Sequence, residues 1–342
     1  MAYFAGLDVS LNLTSICVVD ASGEIIRELK VPSEAEDLVA ALRPLAADLE
    51  RVGLEAGPLS QHIYSALTEA QLPVVCVEAR HMAQVLRAQT MNKTDRNDAR
   101  GLAQMMRVGL FKPVHIKSDR SQRLNVLLQA RKVLKSKFLD IEADLRGLLK
   151  NFGLKVGKVT PKAFEERIRE LAAFDAFVAE VVEPMLIARN AMRRQYDELH
   201  GILLRVVQDD PVCRRLMTMP GVGAVVAMNF RVAIDVPSRF NRSRTVGAHL
   251  GLTPKRYQSG EVDWTGRISK AGDAMMRASL FEAAQVLMTR VAKPSALRSW
   301  AMRLAKRRGR KKAVVALARK MGVILHRMWA DGTDFRWAAQ EA

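Results

Sequence analysis

The stretch Tyr3-Phe4-Ala5-Gly6-Leu7-Asp8-Val9-Ser10 decides how the N-terminal part of the chain folds. It is an apolar run of strand length that carries one carboxylate near its end. Working outward, Leu13 to Val19 is a second apolar run, rich in β-branched residues. Ala21-Ser22-Gly23-Glu24 reads as a turn, and Ile25 to Val31 as a third strand. Ser33 can cap a helix reaching about Leu49. Val52 to Glu55 then predicts a brief strand, Leu59 to Leu72 a helix, Pro73 to Val77 a strand and Thr94 to Val108 a helix. Three consecutive strands, followed by strands that alternate with helices, call for a mixed α/β sheet.

That order matches an RNase H-like domain. The remainder is helical, so the expected fold class is α/β plus α. Ser118 to about Phe152 predicts one long helix. Its Leu124, Leu127, Arg131, Leu134, Phe138, Ile141, Leu145, Leu148 and Phe152 alternate spacings of three and four, a heptad seam with one polar break. A second helix is expected to start near Pro184, a residue suited to a first turn, with Met185, Ala188, Met192, Tyr196, Leu199, Leu203 and Val206 at similar spacing. The two helices suit an antiparallel pair or a coiled coil between protomers, and ordinary amphipathic core helices would carry the same pattern. Further on, Met219-Pro220-Gly221-Val222-Gly223-Ala224 is a tight turn opening a helix. It reads either as a plain helix–helix connection or as a hairpin whose backbone N–H groups meet a phosphate. Arg239 to Gly272 is rich in Gly, Ser, Thr, Arg and Lys, and helices follow at about Ala274 to Val291 and Ala313 to Met328. Three domains are expected: 1–155, the α/β domain with its long trailing helix; 156–208, a coiled-coil linker and oligomerisation segment; and 209–342, mostly helical.

Charge separates these parts. The 342 residues carry a formal net charge of +18, yet residues 1–110 hold 10 basic and 14 acidic side chains, against 44 and 22 in the rest. Between Ala283 and Ala330 there is no Asp or Glu, and the stretch contains Lys306-Arg307-Arg308-Gly309-Arg310-Lys311-Lys312. Apolar positions continue through that run, so it reads as a phosphate-contacting face of a folded element rather than a solvated tail. Trp264, Trp300 and Trp329 offer faces for base stacking, although helical placement of the last two equally suits core packing. Cys17, Cys76 and Cys213 have neither metal nor disulfide spacing and read as buried fillers. With no long uncharged apolar run and no basic leader, the expected setting is cytoplasmic, without membrane.

The chemistry is expected from carboxylates. Asp8 ends the first strand, Glu55 ends another, and Asp95 and Asp98, three apart in Asn92-Lys93-Thr94-Asp95-Arg96-Asn97-Asp98-Ala99-Arg100, share a helix face. Four carboxylates from three elements suit one or two Mg²⁺ ions, which take oxygen ligands and can act on phosphodiesters. Taken singly, Asp95 or Thr94 equally suits a helix cap and Glu55 a strand end.

Gly6-Leu7-Asp8, Leu54-Glu55-Ala56-Gly57 and Lys93-Thr94-Asp95-Arg96-Asn97-Asp98-Ala99 together resemble the DEDD transposases of the IS110 insertion-sequence family. Met219-Pro220-Gly221-Val222-Gly223, Gly251-Leu252-Thr253-Pro254-Lys255-Arg256-Tyr257-Gln258-Ser259-Gly260 and Ile268-Ser269-Lys270-Ala271-Gly272 resemble its second domain. The resemblance spans nearly the whole chain. It implies a RuvC-like domain whose Asp8, Glu55, Asp95 and Asp98 bind Mg²⁺, and a C-terminal transposase domain whose Ser259 is a nucleophile forming a phosphoserine link to DNA. It further implies donor and target duplexes, a structured guide RNA, a homo-oligomer (a dimer, or a tetramer in the synaptic complex), an active site shared between protomers, and a nucleoid-associated protein of a prokaryote. Beside Ser259, Lys255, Arg256, Arg267 and Lys270 would hold the attacked phosphate, while Lys306, Arg307, Arg308, Arg310, Lys311 and Lys312 would bind nucleic acid more generally.

Other readings stay open at this stage. A site-specific invertase or resolvase of the same fold, acting without guide RNA, has the same chemistry. A nucleic-acid-binding protein that has lost catalysis is opposed by the intact carboxylates and serine. An actin-like ATPase or sugar kinase would need a glycine-rich phosphate turn after Asp8, where Val9-Ser10-Leu11-Asn12 supplies none.

Overall fold

The computed structural model describes residues 1–78 and 94–337; Asn92 and Lys93 of the Asp95–Asp98 segment lie outside them. The chain forms two compact units, Met1–Lys117 and Ser118–Ala342.

The first unit is built on a five-stranded sheet of order β3-β2-β1-β4-β5. Its strands are β1 (Tyr3–Val9), β2 (Leu13–Val19), β3 (Ile25–Pro32), β4 (Leu49–Glu55) and β5 (Val74–Val77). β1, β2 and β3 form an antiparallel meander, while β4 pairs parallel with both β1 and β5. This is the mixed sheet with helices expected of the N-terminal part. Helices α1 (Ala35–Leu42) and α2 (Ser60–Glu69) cover one face, where Leu38, Leu42, Ile63 and Leu67 pack on Ala5 and Leu7. Helix α3 (Asp95–Val108) covers the other, where Leu102, Met105 and Met106 pack on Phe4, Cys17 and Val19. Burial on both sides explains why β1 and β2 read as nearly continuous apolar runs. α1 stops at Leu42, short of the expected Leu49. From Arg43 to Leu45 the chain tightens into a single short turn around Pro44, and Ala46, Ala47 and Asp48 then lead into β4.

The second unit is helical apart from one hairpin. Its helices include α4 (Asp119–Lys150), α5 (Phe164–Ala172) and α6 (Ala176–Asp209). α4 and α6 pair antiparallel: Leu128 shares a cluster with Leu203 and Val207, and Leu145 and Leu149 share another with Val182 and Leu186. Between them, Arg131, the polar break in the seam, bonds the Tyr196 hydroxyl and His200 Nδ1. Leu148 and Phe152 of the seam are exposed, because Leu145 and Leu149 take the inward positions. α6 starts at Ala176, capped by the Asp175 side chain on Val178 N–H, so Pro184 lies inside the helix and does not open it. The long helix expected to trail the first domain to residue 155 thus belongs to the second unit, where its N-cap Ser118 is held by Asp235.

α7 (Pro211–Met217), α8 (Ala224–Ile234), α9 (Val246–His249), α10 (Ala274–Thr289), α11 (Ala296–Arg308) and α12 (Arg310–Ala330) complete the unit around one large core. The Met219–Gly223 turn packs inward: Met219 and Val222 are buried, and a Cβ on Gly221, whose φ is +87°, would come 2.5 Å from the Ala283 carbonyl oxygen of α10. All three cysteines are buried, which pushes the thiols of Cys17 and Cys76 up to about 11 and that of Cys213 to about 12. No helix among the described residues is long and apolar enough to cross a membrane.

Candidate active site

β1 and β4 run parallel with Leu7 opposite Leu54, so Asp8 and Glu55 follow at neighbouring positions where the two strands end. By strand alternation both share the sheet face of Gly6 and Gly53, the face that α3 covers. Gly6 and Gly53 pair with each other, and their missing side chains seat the helix. A Cβ on Gly6 would stand 2.3 Å from the Ala99 carbonyl oxygen and 2.4 Å from the Ala103 nitrogen; one on Gly53 would stand 2.7 Å from Met106 Cγ. Arg51, earlier on β4, reaches the Met106 carbonyl at 2.9 Å. α3 therefore runs opposite to β1 and β4, and its first turn lies toward the Asp8–Glu55 end. Asp98, only 8% exposed, is on that turn.

Asp95 has a different environment. Its side chain is 58% exposed and pairs with Lys30 on β3 at 3.2 Å. Lys30 pairs with Ser15 on β2, which pairs with Asp8, so Asp95 is drawn two strands sideways from Asp8. Two residues earlier on β3, Glu28 accepts hydrogen bonds from both Arg96 and Arg100 of α3. These hydrogen bonds, Arg100's foremost, hold the Glu28 carboxylate down to about 2. Thr94 caps the helix by accepting from Asn97 N–H. Thus Asp8, Glu55 and Asp98 are directed to one end of one sheet face, and Asp95 is engaged at its β3 side.

The donor chemistry fits a hard divalent cation, since all four groups are carboxylates, one of them buried. Among the described residues no three acidic, His or Cys side chains close into a ligating group. Asp95 is instead engaged by Lys30.

Ser259 lies in the second unit, at the tip of a hairpin of β6 (Pro254–Ser259) and β7 (Val262–Ile268). Gly260, with φ +55°, opens the two-residue turn, as primed hairpin turns require. Every residue of β6 is exposed, and no described side chain hydrogen-bonds the Ser259 hydroxyl. The hairpin is held at its feet. A Cβ on Gly251 (φ +66°) would come 1.9 Å from the Ala271 carbonyl oxygen, and one on Gly272 (φ +90°) 2.0 Å from that of His249. Ser269 N–H donates to Thr253 O and Lys270 N–H to Gly251 O. On the strands, Tyr257 stacks on Trp264 at 5.9 Å, and Arg256 forms a fork-like pair with Asp263 at 2.9 and 2.6 Å. The Arg256 guanidinium is thereby matched by a carboxylate, while Lys255, Arg267 and Lys270 are exposed without an acidic partner among the described residues. His249 is tied to Arg239 and the Ala233 carbonyl oxygen. Lys306, Arg307, Arg308, Arg310, Lys311 and Lys312 are all exposed around Gly309, the joint between α11 and α12.

Sequence reasoning missed Glu28, Lys30 and the Gly6–Gly53 seat. The last had a signal: a glycine two residues before each of Asp8 and Glu55 lies on the same strand face. The ion pairs had none, because they depend on the β2–β3 register.

Residues 5–153 match a DEDD transposase model of IS110 type, and residues 213–301 match the model of the transposase IS116/IS110/IS902 family. The chain is 27% identical over 344 residues to the transposase for insertion sequence element IS1111A of Coxiella burnetii, covering 98% of this chain and 91% of that one. It is 31% identical to the transposase for insertion sequence element IS1328 of Yersinia enterocolitica over 41% of this chain and 42% of that one. Among solved structures it is similar to T. thermophilus RuvC in complex with Holliday junction substrate, with 16% identity, a TM-score of 0.25, and coverage of 33% of this chain and 100% of that one. With both of its family models matched in order along one chain, this protein belongs to the IS110 family of insertion-sequence transposases and is a DNA transposase.

Proposed function

We propose that this transposase cleaves and exchanges DNA strands between a donor and a target duplex, with Ser259 as nucleophile, Asp8, Glu55 and Asp98 as the metal-binding carboxylates, and a structured RNA as guide. The observation that carries the reading is the side-by-side ending of Asp8 and Glu55 on adjacent parallel strands, with Asp98 buried on the helix over the same face. Magnesium, when bound there, supplies charge neutralisation at the attacked phosphate and acidifies a coordinated hydroxyl. The chain's own part begins with Ser259. Its Oγ forms a bond to phosphorus as the bond from phosphorus to a sugar oxygen breaks. The serine proton is lost to solvent or a base, and the departing sugar oxygen gains one. Attack by a sugar hydroxyl of the other duplex reverses the step and frees the serine. Lys255, Arg267 and Lys270 balance charge on the phosphate, and Arg256 does so once Asp263 releases it. The exposed hairpin tip supports this assignment, because a nucleophile that enters a DNA backbone must be reachable. Asp95 completes the carboxylate set on leaving Lys30. Lys306, Arg307, Arg308, Arg310, Lys311 and Lys312 hold nucleic acid backbones. Because two duplexes are recombined, the working form is a dimer that assembles into a tetramer, acting at the nucleoid.

Ser259→Ala and Asp8→Ala should each abolish recombination, by at least about 10³-fold, while DNA binding persists. Wild-type protein incubated with donor DNA should yield a covalent protein–DNA species whose link maps to Ser259. Full activity in either variant would sink the assignment. For the guide, the protein is purified from cells carrying its native flanking DNA and the bound RNA is sequenced. One discrete RNA encoded beside the gene is expected; a random mixture removes RNA guidance and leaves a recombinase that specifies its own sites.

A further inference from the structure

The α11–α12 hairpin of helices carries a feature that Ser259 chemistry leaves unused. At its open end, opposite the Gly309 joint, lies a cavity of about 600 Å³ lined among others by Leu297, Trp300, Arg303, Lys320, Ile324 and Phe335. We propose that this cavity takes one unpaired nucleotide of a nucleic-acid strand, its base stacked on Trp300 and its phosphate held by Arg303 and Lys320.

Four observations support this. Trp300 is partly exposed although it packs on the core, so one edge of the indole is anchored while a face stays reachable. The Lys320 ammonium lies over that ring, 4.3 Å from its centroid. Lys320 is exposed, so a base that takes its place over the ring turns the ammonium toward the adjoining phosphate. Charge is selective: Asp331 is paired with Arg327 at 3.2 Å and Asp334 with Arg215 at 4.0 Å, whereas Arg303 and Lys320 have no acidic partner among the described residues. Finally, the exposed cations at residues 306–312 stand at the other end of the same two helices, so a strand tracking the basic face reaches the cavity. A paired base inside a duplex cannot enter a concave site of this kind, which selects for unpaired strands.

The test uses the full chain and short single strands carrying one 2-aminopurine, as DNA and as RNA, beside a blunt duplex. Wild type should quench the 2-aminopurine on binding. Trp300→Leu should lose the quench and bind single strands about tenfold more weakly, with duplex affinity nearly unchanged, and Trp300→Phe should restore most of both. Lys320→Ala and Arg303→Ala, both at exposed positions, should weaken single-strand binding and each reduce the salt slope by about one. Whichever of DNA and RNA binds more tightly names the strand. The proposal is overturned if wild type leaves 2-aminopurine unquenched, if Lys320→Ala binds single strands as wild type does, or if a folded Trp300→Leu loses duplex and single strand equally.

Discussion

The seat of α3 and the hairpin of Ser259 both depend on glycine, yet they are held in opposite ways. α3 lies flat on Gly6 and Gly53, its flank locked by Glu28 to Arg96 and Arg100, with Asp98 enclosed beneath it. The hairpin is clamped at its feet, Gly251 and Gly272, and projects exposed strands whose backbone ladder is backed by one exposed ring stack and one exposed ion pair. The carboxylates are thus fixed by packing on a rigid sheet, and the serine by a turn that can move as a body. That difference suits the roles proposed for them: a metal-ligand set needs tight placement, whereas a nucleophile that bonds to DNA has to follow its substrate.

The contrast can be broken or sharpened by substitution. The largest effect is expected for Gly6→Ala, whose methyl group meets backbone atoms at both Ala99 and Ala103. Lifting α3 should cost about 3 kcal/mol and lower the melting temperature of the first unit by roughly 10 °C. Gly260→Ala, in open space at φ +55°, should cost only about 1 kcal/mol. Scanning calorimetry compares them, and equal losses would remove the distinction between seat and hairpin. Next comes Glu28→Gln, which weakens the flank lock by roughly 1–2 kcal/mol at neutral pH. Because the native carboxylate is held down to about 2, its contribution is present above the ordinary value of 4.5 and is lost as pH falls from there through about 2. Acid titration of wild type and variant should therefore converge over that window; parallel curves would show that the lock contributes nothing. The smallest effect is expected for Trp264→Ala, which removes an exposed stack. About 0.5–1 kcal/mol of local hairpin stability should go, with no shift in the melting of either core. A fall of several degrees would mean that the hairpin is structurally coupled to the unit that carries it.

The limits of β1 and β2 were legible to the residue, because burial on two faces leaves uninterrupted apolar runs at Tyr3–Val9 and Leu13–Val19, whereas β4 begins three residues before the expected Val52, at Leu49, where Glu50 and Arg51 interrupt the apolar pattern. Asp8 and Glu55 were legible for the same reason: each is a charge terminating such a run. The hairpin was not read as strands, since its exposed residues carry no apolar alternation, although Gly260 between Ser259 and Val262 marks the turn. α5 and α11 were also missed: α5 is only nine residues long, although its buried Phe164, Ile168 and Ala172 recur at helical spacing, and α11 is strongly basic with few apolar positions. Pro184 misled on α6, because proline favours first turns without being confined to them. The sideways engagement of Asp95 depends on Lys30 reaching across from β3, a tertiary contact that spacing within one segment cannot express.

One consequence belongs to the paired long helices. α4 and α6 are gripped by separate clusters, one at Leu128–Leu203 and one at Leu145–Leu186. Along α4 those grips are about 26 Å apart at 1.5 Å per residue. Such a pair is a lever arm: a tilt of about 10° at one grip carries the other through roughly 4–5 Å. That is a little less than one helical turn of travel.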